Sequence, residues 1–331
     1  MSNTRPATHA GSWYSGDTSA LKSQIDSLIA QAQGPRVAIN RPVEGARVLI
    51  GPHAGYTFAG ERLAETYNVW DASKVKRVFI LGPSHHVYFK NHAMLSPFDI
   101  YETPLGNLEI DRPVVEKLLS SKSKPRKPPI FKEMSEEVDE DEHSFEMHAP
   151  FIYHQGLRSP HGPPKIIPIM ISGMDYETQN ELAEALLPFL ADEENHFVIS
   201  SDFCHWGSRF GYTTVLPERT SSLHSLEKDL VSLTKSTRLT DFSIHASIEN
   251  LDRMALDIAT KGSSQQWKQY IRTSENTICG QKPISIVLQL LEKYGRSGAT
   301  DVFQWIGYSQ SNPARSIRDS SVSYASGYVK L

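Results

Sequence analysis

The chain has 331 residues, with 34 Lys or Arg against 38 Asp or Glu and a formal net charge of −4. That balance argues against a nucleic-acid or membrane-surface protein, which would carry a basic excess or patch. At 39% hydrophobic and 22% charged residues the composition excludes a disordered chain, and the length suffices to bury a core without staples. No run of about 18 apolar residues offers a membrane span, and Met1 to Gly16 lacks the regions of a signal peptide. Two cysteines, Cys204 and Cys279, cannot build a disulfide framework and read as reduced thiols of a cytosolic protein.

In chain order, Thr18 to Gln33 puts Leu21, Ile25, Leu28, Ile29 and Ala32 on one helical face, started by Asp17 or Thr18 and ended by Gly34. Ala46 to Ile50 is a buried-strand pattern that runs into Gly51-Pro52-His53, and a helix is expected from Phe58 to Tyr67. Arg77 to Leu81 repeats the strand and leads to Gly82-Pro83-Ser84-His85-His86. A third strand, Ile166 to Ile171, precedes a helix over Glu177 to Leu190, and a fourth, His196 to Ser200, ends in Ser201-Asp202-Phe203-Cys204-His205. Strand then helix, repeated, predicts a largely parallel sheet with helices on both faces, in one α/β domain spanning 1–331.

Between the second and third strands, Ser120 to Met134 holds Lys122, Lys124, Arg126 and Lys127 among three prolines and reads as a solvated surface insertion that can be shortened. An acidic run follows, from Glu136 to Glu142, expected as a solvated loop that pairs with the basic half. From Phe210 to Ser274 the chain reads as helical, with Leu223 to Leu233 and Ile248 to Ile258 the clearest segments. An apolar helix, Ile284 to Leu291, and strands at Asp301 to Tyr308 and Val322 to Val329 complete the pattern.

His53, His85 and His205 each fall a few residues beyond the C-terminal end of a predicted parallel strand. Loops at that edge converge on the crevice where ligands bind in open α/β sheets. Three imidazoles so placed suggest a metal site for iron, copper or zinc. Cys279 is a further candidate, because Pro283 marks the first turn of the helix that follows. A thiol ahead of a helix N-terminus is expected to have a lowered pKa and to serve as ligand or nucleophile; the alternative is a buried small hydrophobe. Cys204 is expected to pack.

Seven blocks resemble the Memo family and run in order over nearly the whole chain. They are Thr8 to Tyr14, Gly51-Pro52-His53-Ala54-Gly55-Tyr56, Leu81 to His86, Asp139 to His148, Ser200 to Gly207, Asn276-Thr277-Ile278-Cys279-Gly280 and Asp319 to Ala325. The segment from Ser120 to Glu137 matches least and looks like an insertion.

The resemblance implies an α/β/α sandwich like that of class III extradiol non-haem iron dioxygenases. It implies one copper(I) or iron(II) per chain, held by His53, His85 and Cys279. Asp202 and His205 would lie near the metal, with His205 moving protons and Asp202 orienting it or a bound water. Those dioxygenases use Glu where this chain has Cys279, a softer donor that favours copper(I) and argues against ring cleavage. The implied functions are metal-dependent redox chemistry or copper sequestration. The alternative is a catalytically silent adaptor for phosphotyrosine peptides in cell-motility signalling, with a phosphotyrosine peptide or signalling protein as partner and neither nucleic acid nor membrane; the expected location is cytoplasmic, with the nucleus as a further site. In Glu142-His143-Ser144-Phe145-Glu146, a surface helix cap is expected, with Glu142 or His143 lining the site as the alternative.

Overall fold

The computed structural model describes residues 3–32, 41–121, 128–219, 222–234, 242–296 and 301–331. Four mostly apolar runs form the predicted parallel strands: β1 (Ala46–Gly51), β2 (Arg77–Pro83), and two more that, with the short β3 (Ala93–Leu95) and β4 (Phe131–Glu133) between, become β5 (Lys165–Ile171) and β6 (Asn195–Ser200). Nearly every side chain in these four strands is buried, as in a sheet covered on both faces. They lie side by side in the order β1, β6, β2, β5.

Antiparallel pairing extends this core at both edges. On one side β9 (Ser321–Lys330) pairs with β1, and also with β7 (His205–Trp206) and β8 (Gln304–Gln310). On the other, β3 runs against β5 and carries β4.

The order of strands fixes the layers. From β1 to β2 the chain crosses over β6 through α2 (Tyr56–Asn68), on which α1 (Thr18–Ala32) packs. From β5 to β6 it crosses β2 in the opposite direction through a helix at Tyr176–Leu190, packed against another at Gln281–Lys293. Right-handed crossovers that run in opposite directions place their helices on opposite faces. The result is a mixed α/β domain with a mostly parallel central sheet between helical layers, as expected. No helix among the described residues is long and apolar enough to cross a membrane.

Two expectations need correction. Over Leu223 to Leu233 only Leu226–Asp229 is helical, and Val231–Ser232 pairs instead with Thr214–Val215. Tertiary pairing, with Leu226 and Leu233 buried, overrides the helical pattern there. The expected insertion is also smaller than its composition suggests. Its basic run at 122–127 lies outside the described residues, but Ile130, Phe131 and Met134 are buried and β4 is an edge strand of the main sheet. A three-residue strand is too short to show a period of two, so lysines and prolines mask it. Phe131 is 2% exposed; Phe131→Ala is expected to cost about 3 kcal/mol in urea unfolding, as for a core aromatic, whereas an exposed insertion would show no loss.

Candidate metal centre

Three neighbouring parallel strands end at Gly51, Ser200 and Pro83, and the second residue beyond each end is His53, Asp202 and His85. Equal steps past adjacent strand ends bring these side chains together at one crevice of the sheet. His53 is buried, and its backbone N–H donates to Asp202 Oδ1 at 2.8 Å.

Hydrogen bonds fix the tautomers of both histidines. Ser200 Oγ donates its single proton to the Ser144 carbonyl at 2.6 Å. It must therefore accept from His53 Nδ1, 2.7 Å away, which leaves the lone pair of His53 on Nε2. His85 Nδ1 donates to Glu142 Oε1 at 2.8 Å, and its backbone N–H donates to Glu142 Oε2 at 2.7 Å. The Nε2 of His85 is then also free to coordinate, in the carboxylate–histidine arrangement that orients metal ligands.

Glu142 has a second task. Its Oε1 accepts the Ser144 N–H at 2.8 Å and so caps α3 (His143–Glu146), the short helix that carries His143. Gly82 allows this helix to press on β2, since a Cβ there would lie 2.6 Å from Ser144 Oγ. One nitrogen from each of His53, His85 and His143 lies within 4.8 Å of the others. Burial, with His85 and His143 nearby, holds His53 well below the ordinary imidazole pKa. His143 is held down at about 3, by burial and by His85. Both rings are neutral at pH 7, the state a metal ligand needs.

Cys279 joins this group through His53: its Sγ lies 3.2 Å from His53 Nε2 and accepts the Asp202 N–H at 3.2 Å. Gly280 is required beside it, because a Cβ would meet Ser201 Cβ at 2.3 Å. The expected lowering of the thiol pKa is not found. Burial pushes it well above its ordinary value and the Asp202 charge adds to the rise, which outweighs the helix that starts at Gln281. Cys204 is fully buried and packs, as expected.

Asp202 is buried and its pKa is raised by that burial, against the pull of His205. His205 is half-exposed on β7, with Nδ1 at 2.9 Å from the Phe203 carbonyl and 3.1 Å from that of Thr277. Two acceptors require Nδ1–H and leave Nε2 as the basic nitrogen. His205 stands outside the tight group of three histidines, although its charge is felt by His53 and Asp202.

The family profile of the Memo-like protein matches residues 5–328. The chain belongs to the Memo family. It is 39% identical to MEMO1 family protein MHO1 of Saccharomyces cerevisiae, with 99% of both chains covered. It is 39% identical to Protein MEMO1 of Xenopus laevis, over 98% of this chain and 96% of that one, and 36% identical to human Protein MEMO1, over 99% and 97%.

For this Memo-family chain, the acidic run departs from the expected solvated loop and surface cap. Glu136, Glu137 and Asp141 are exposed, but Asp139, Glu142 and Glu146 are at most 1% exposed. Their spacing of three and four residues, a single helical face, was the available signal. Asp139 and Glu146 find partners in the N-terminal region, and the Glu142 carboxylate is taken by His85 and Ser144; the basic run at 122–127 lies outside the described residues. Arg5 Nε donates to Asp139 Oδ1 at 3.0 Å, Nη1 to Glu146 Oε2 at 2.7 Å, and Nη2 to the carbonyls of Asp139, Glu140 and Glu142. Glu146 also accepts from Tyr14 Oη at 2.7 Å and from the His9 N–H at 2.8 Å. Beyond His9, Trp13 packs on His143 with ring centres 4.4 Å apart. Arg5 lies outside every family-resembling block, and although His9 and Trp13 fall within Thr8 to Tyr14, no local pattern there announces their roles.

Burial alone would raise the Glu146 pKa, but the His9 hydrogen bond and the Arg5 charge bring it down from 4.5 to about 2. A carboxylate depressed on folding stabilises above its unfolded pKa and loses that contribution as pH falls through the folded one. Glu146→Gln is therefore expected to cost about 3 kcal/mol at pH 7, since it leaves Arg5 without one buried partner. It should also flatten the fall in stability between pH 4.5 and about 2. Denaturant unfolding across that range tests both, and an unchanged slope would show that Glu146 is not the titrating group.

Proposed function

We propose that this protein holds one copper(I) or iron(II) per chain and either carries out redox chemistry with it or sequesters it. The observation that carries the reading is the crowding of three histidine nitrogens within 4.8 Å, two of them on rings whose Nδ1–H is already engaged. His53, His85 and Cys279 are the proposed ligands, with His143 as a further donor that the sequence alone did not single out. The donor set fits such an ion: neutral imidazoles suit both metals, and a thiolate favours copper(I). A cation would also supply the charge that a thiolate buried at Cys279 otherwise lacks.

When bound, such an ion supplies one-electron chemistry toward dioxygen or another small ligand. The protein's own residues divide the remaining work. His205, with Nδ1 pinned to two carbonyls, presents Nε2 to accept or return a proton. Asp202 holds the His53 backbone through Oδ1 and the Cys279 sulfur through its own N–H.

A second reading, an adaptor for phosphotyrosine peptides at a cytoplasmic or nuclear site, is favoured by a different observation. A pocket of about 350 Å³ beside His143 is lined by Ser12, Trp13, Ala54, Gly55, Thr57 and Phe58, with Phe58 62% exposed. A planar side chain could rest there.

Metal analysis of protein purified anaerobically and under reduction is expected to find about one equivalent of copper or iron, lost in His53→Ala. Cys279→Ser should remain folded but bind copper(I) at least about tenfold more weakly in chelator competition. Unchanged affinity in both variants would overturn the metal reading. Phosphotyrosine-peptide binding retained in His53→Ala without metal would favour the adaptor.

A further inference from the structure

A second cavity opens on the same edge of the sheet as the histidines but on the other side of Cys279. It lies between the N-terminal ends of α4 (Tyr176–Leu190) and, beyond α5 (Ile244–Thr260) and α6 (Ser264–Ser274), of α7 (Gln281–Lys293). Its volume is about 300 Å³, and Trp267 contributes an apolar floor while donating Nε1–H to the Gln281 carbonyl at 3.0 Å.

Three cations line it: Lys268, Arg272 and Lys282. Lys268 rests over the Tyr176 ring at 4.4 Å, and neither Arg272 nor Lys282 makes a hydrogen bond or ion pair among the described residues. The one carboxylate in the cavity wall is already engaged, since Asp175 Oδ1 accepts from the Thr178 N–H and Oδ2 from Asn91 Nδ2, both at 2.8 Å. The lining therefore keeps an excess of two positive charges beside the N-terminal end of α7; that of α4 is already met by the Asp175 cap and by Glu177 in its first turn.

We propose that this cavity binds the phosphate group of a small phosphorylated molecule. A dianion matches the excess charge, and a volume at the lower end of small-molecule sites leaves room for a short organic body against Trp267. Lys282 is half-buried, and burial and Lys268 lower its pKa against the pull of the Asp175 charge, a net cost that a bound anion relieves. The site is independent of the proposed metal, although Lys282 stands only three residues beyond Cys279, so its occupation would bear on the start of α7.

The test is isothermal titration of the full chain with inorganic phosphate and with glycerol 3-phosphate, at low and high salt. One saturable site is expected for glycerol 3-phosphate, weakening as salt rises. Lys282→Ala and Arg272→Ala should each weaken it at least about tenfold, as for the loss of a charge-assisted contact. Lys282→Arg should retain binding and serves as the folding control, and His53→Ala should leave it unchanged. Absence of saturable binding by either probe would overturn the proposal. So would binding that survives Lys282→Ala and Arg272→Ala but is lost in His53→Ala, which would place the anion at the histidines.

Discussion

The buried guanidinium of Arg5 is the constraint on which the candidate centre rests. Taking that charge out of water is costly, and the structure offsets the cost with two carboxylates and a set of carbonyls all drawn from the segment around 139–146. The segment is thereby held in one position. From it Glu142 reaches His85, His143 projects from the helix that Glu142 caps, and the Ser144 carbonyl orders Ser200 and through it His53. All three histidines thus depend on one cation that touches none of them.

Charge is placed sparingly around the centre. The carboxylate nearest the imidazoles, Glu142, is held at about pKa 2 because the His85 hydrogen bond and charge overcome the upward effect of burial. Its oxygens face N–H groups. The thiol and the Asp202 carboxyl are both pushed toward their neutral forms by burial. A pocket of neutral donors in low dielectric has little to offer an anion and much to offer a cation that can displace protons.

The parallel core was legible because each of its strands is a short, mostly apolar run followed by residues that turn the chain. His53 and His85 were legible for the same reason, since a residue just past a parallel strand has a known destination. His143 was not, because it enters from a four-residue helix whose position depends on Arg5, more than a hundred residues away in sequence. The Cys279 thiol was misjudged electrostatically: helix proximity can be read from Pro283, whereas the burial and the Asp202 charge that raise its pKa are set by tertiary packing. Likewise, nothing local distinguishes Val231–Ser232 as a strand until Thr214–Val215 is beside it.

Residues near both ends of this chain complete the centre. Arg5 steadies the histidine-bearing segment, while in β9 the Ser323 carbonyl accepts the Phe203 N–H and its own N–H donates to the Cys204 carbonyl, bracing the loop between Asp202 and His205. The loop that carries Asp202 and His205 therefore gains its brace from a strand that is made after every candidate ligand, so that contact is among the last the growing chain can form.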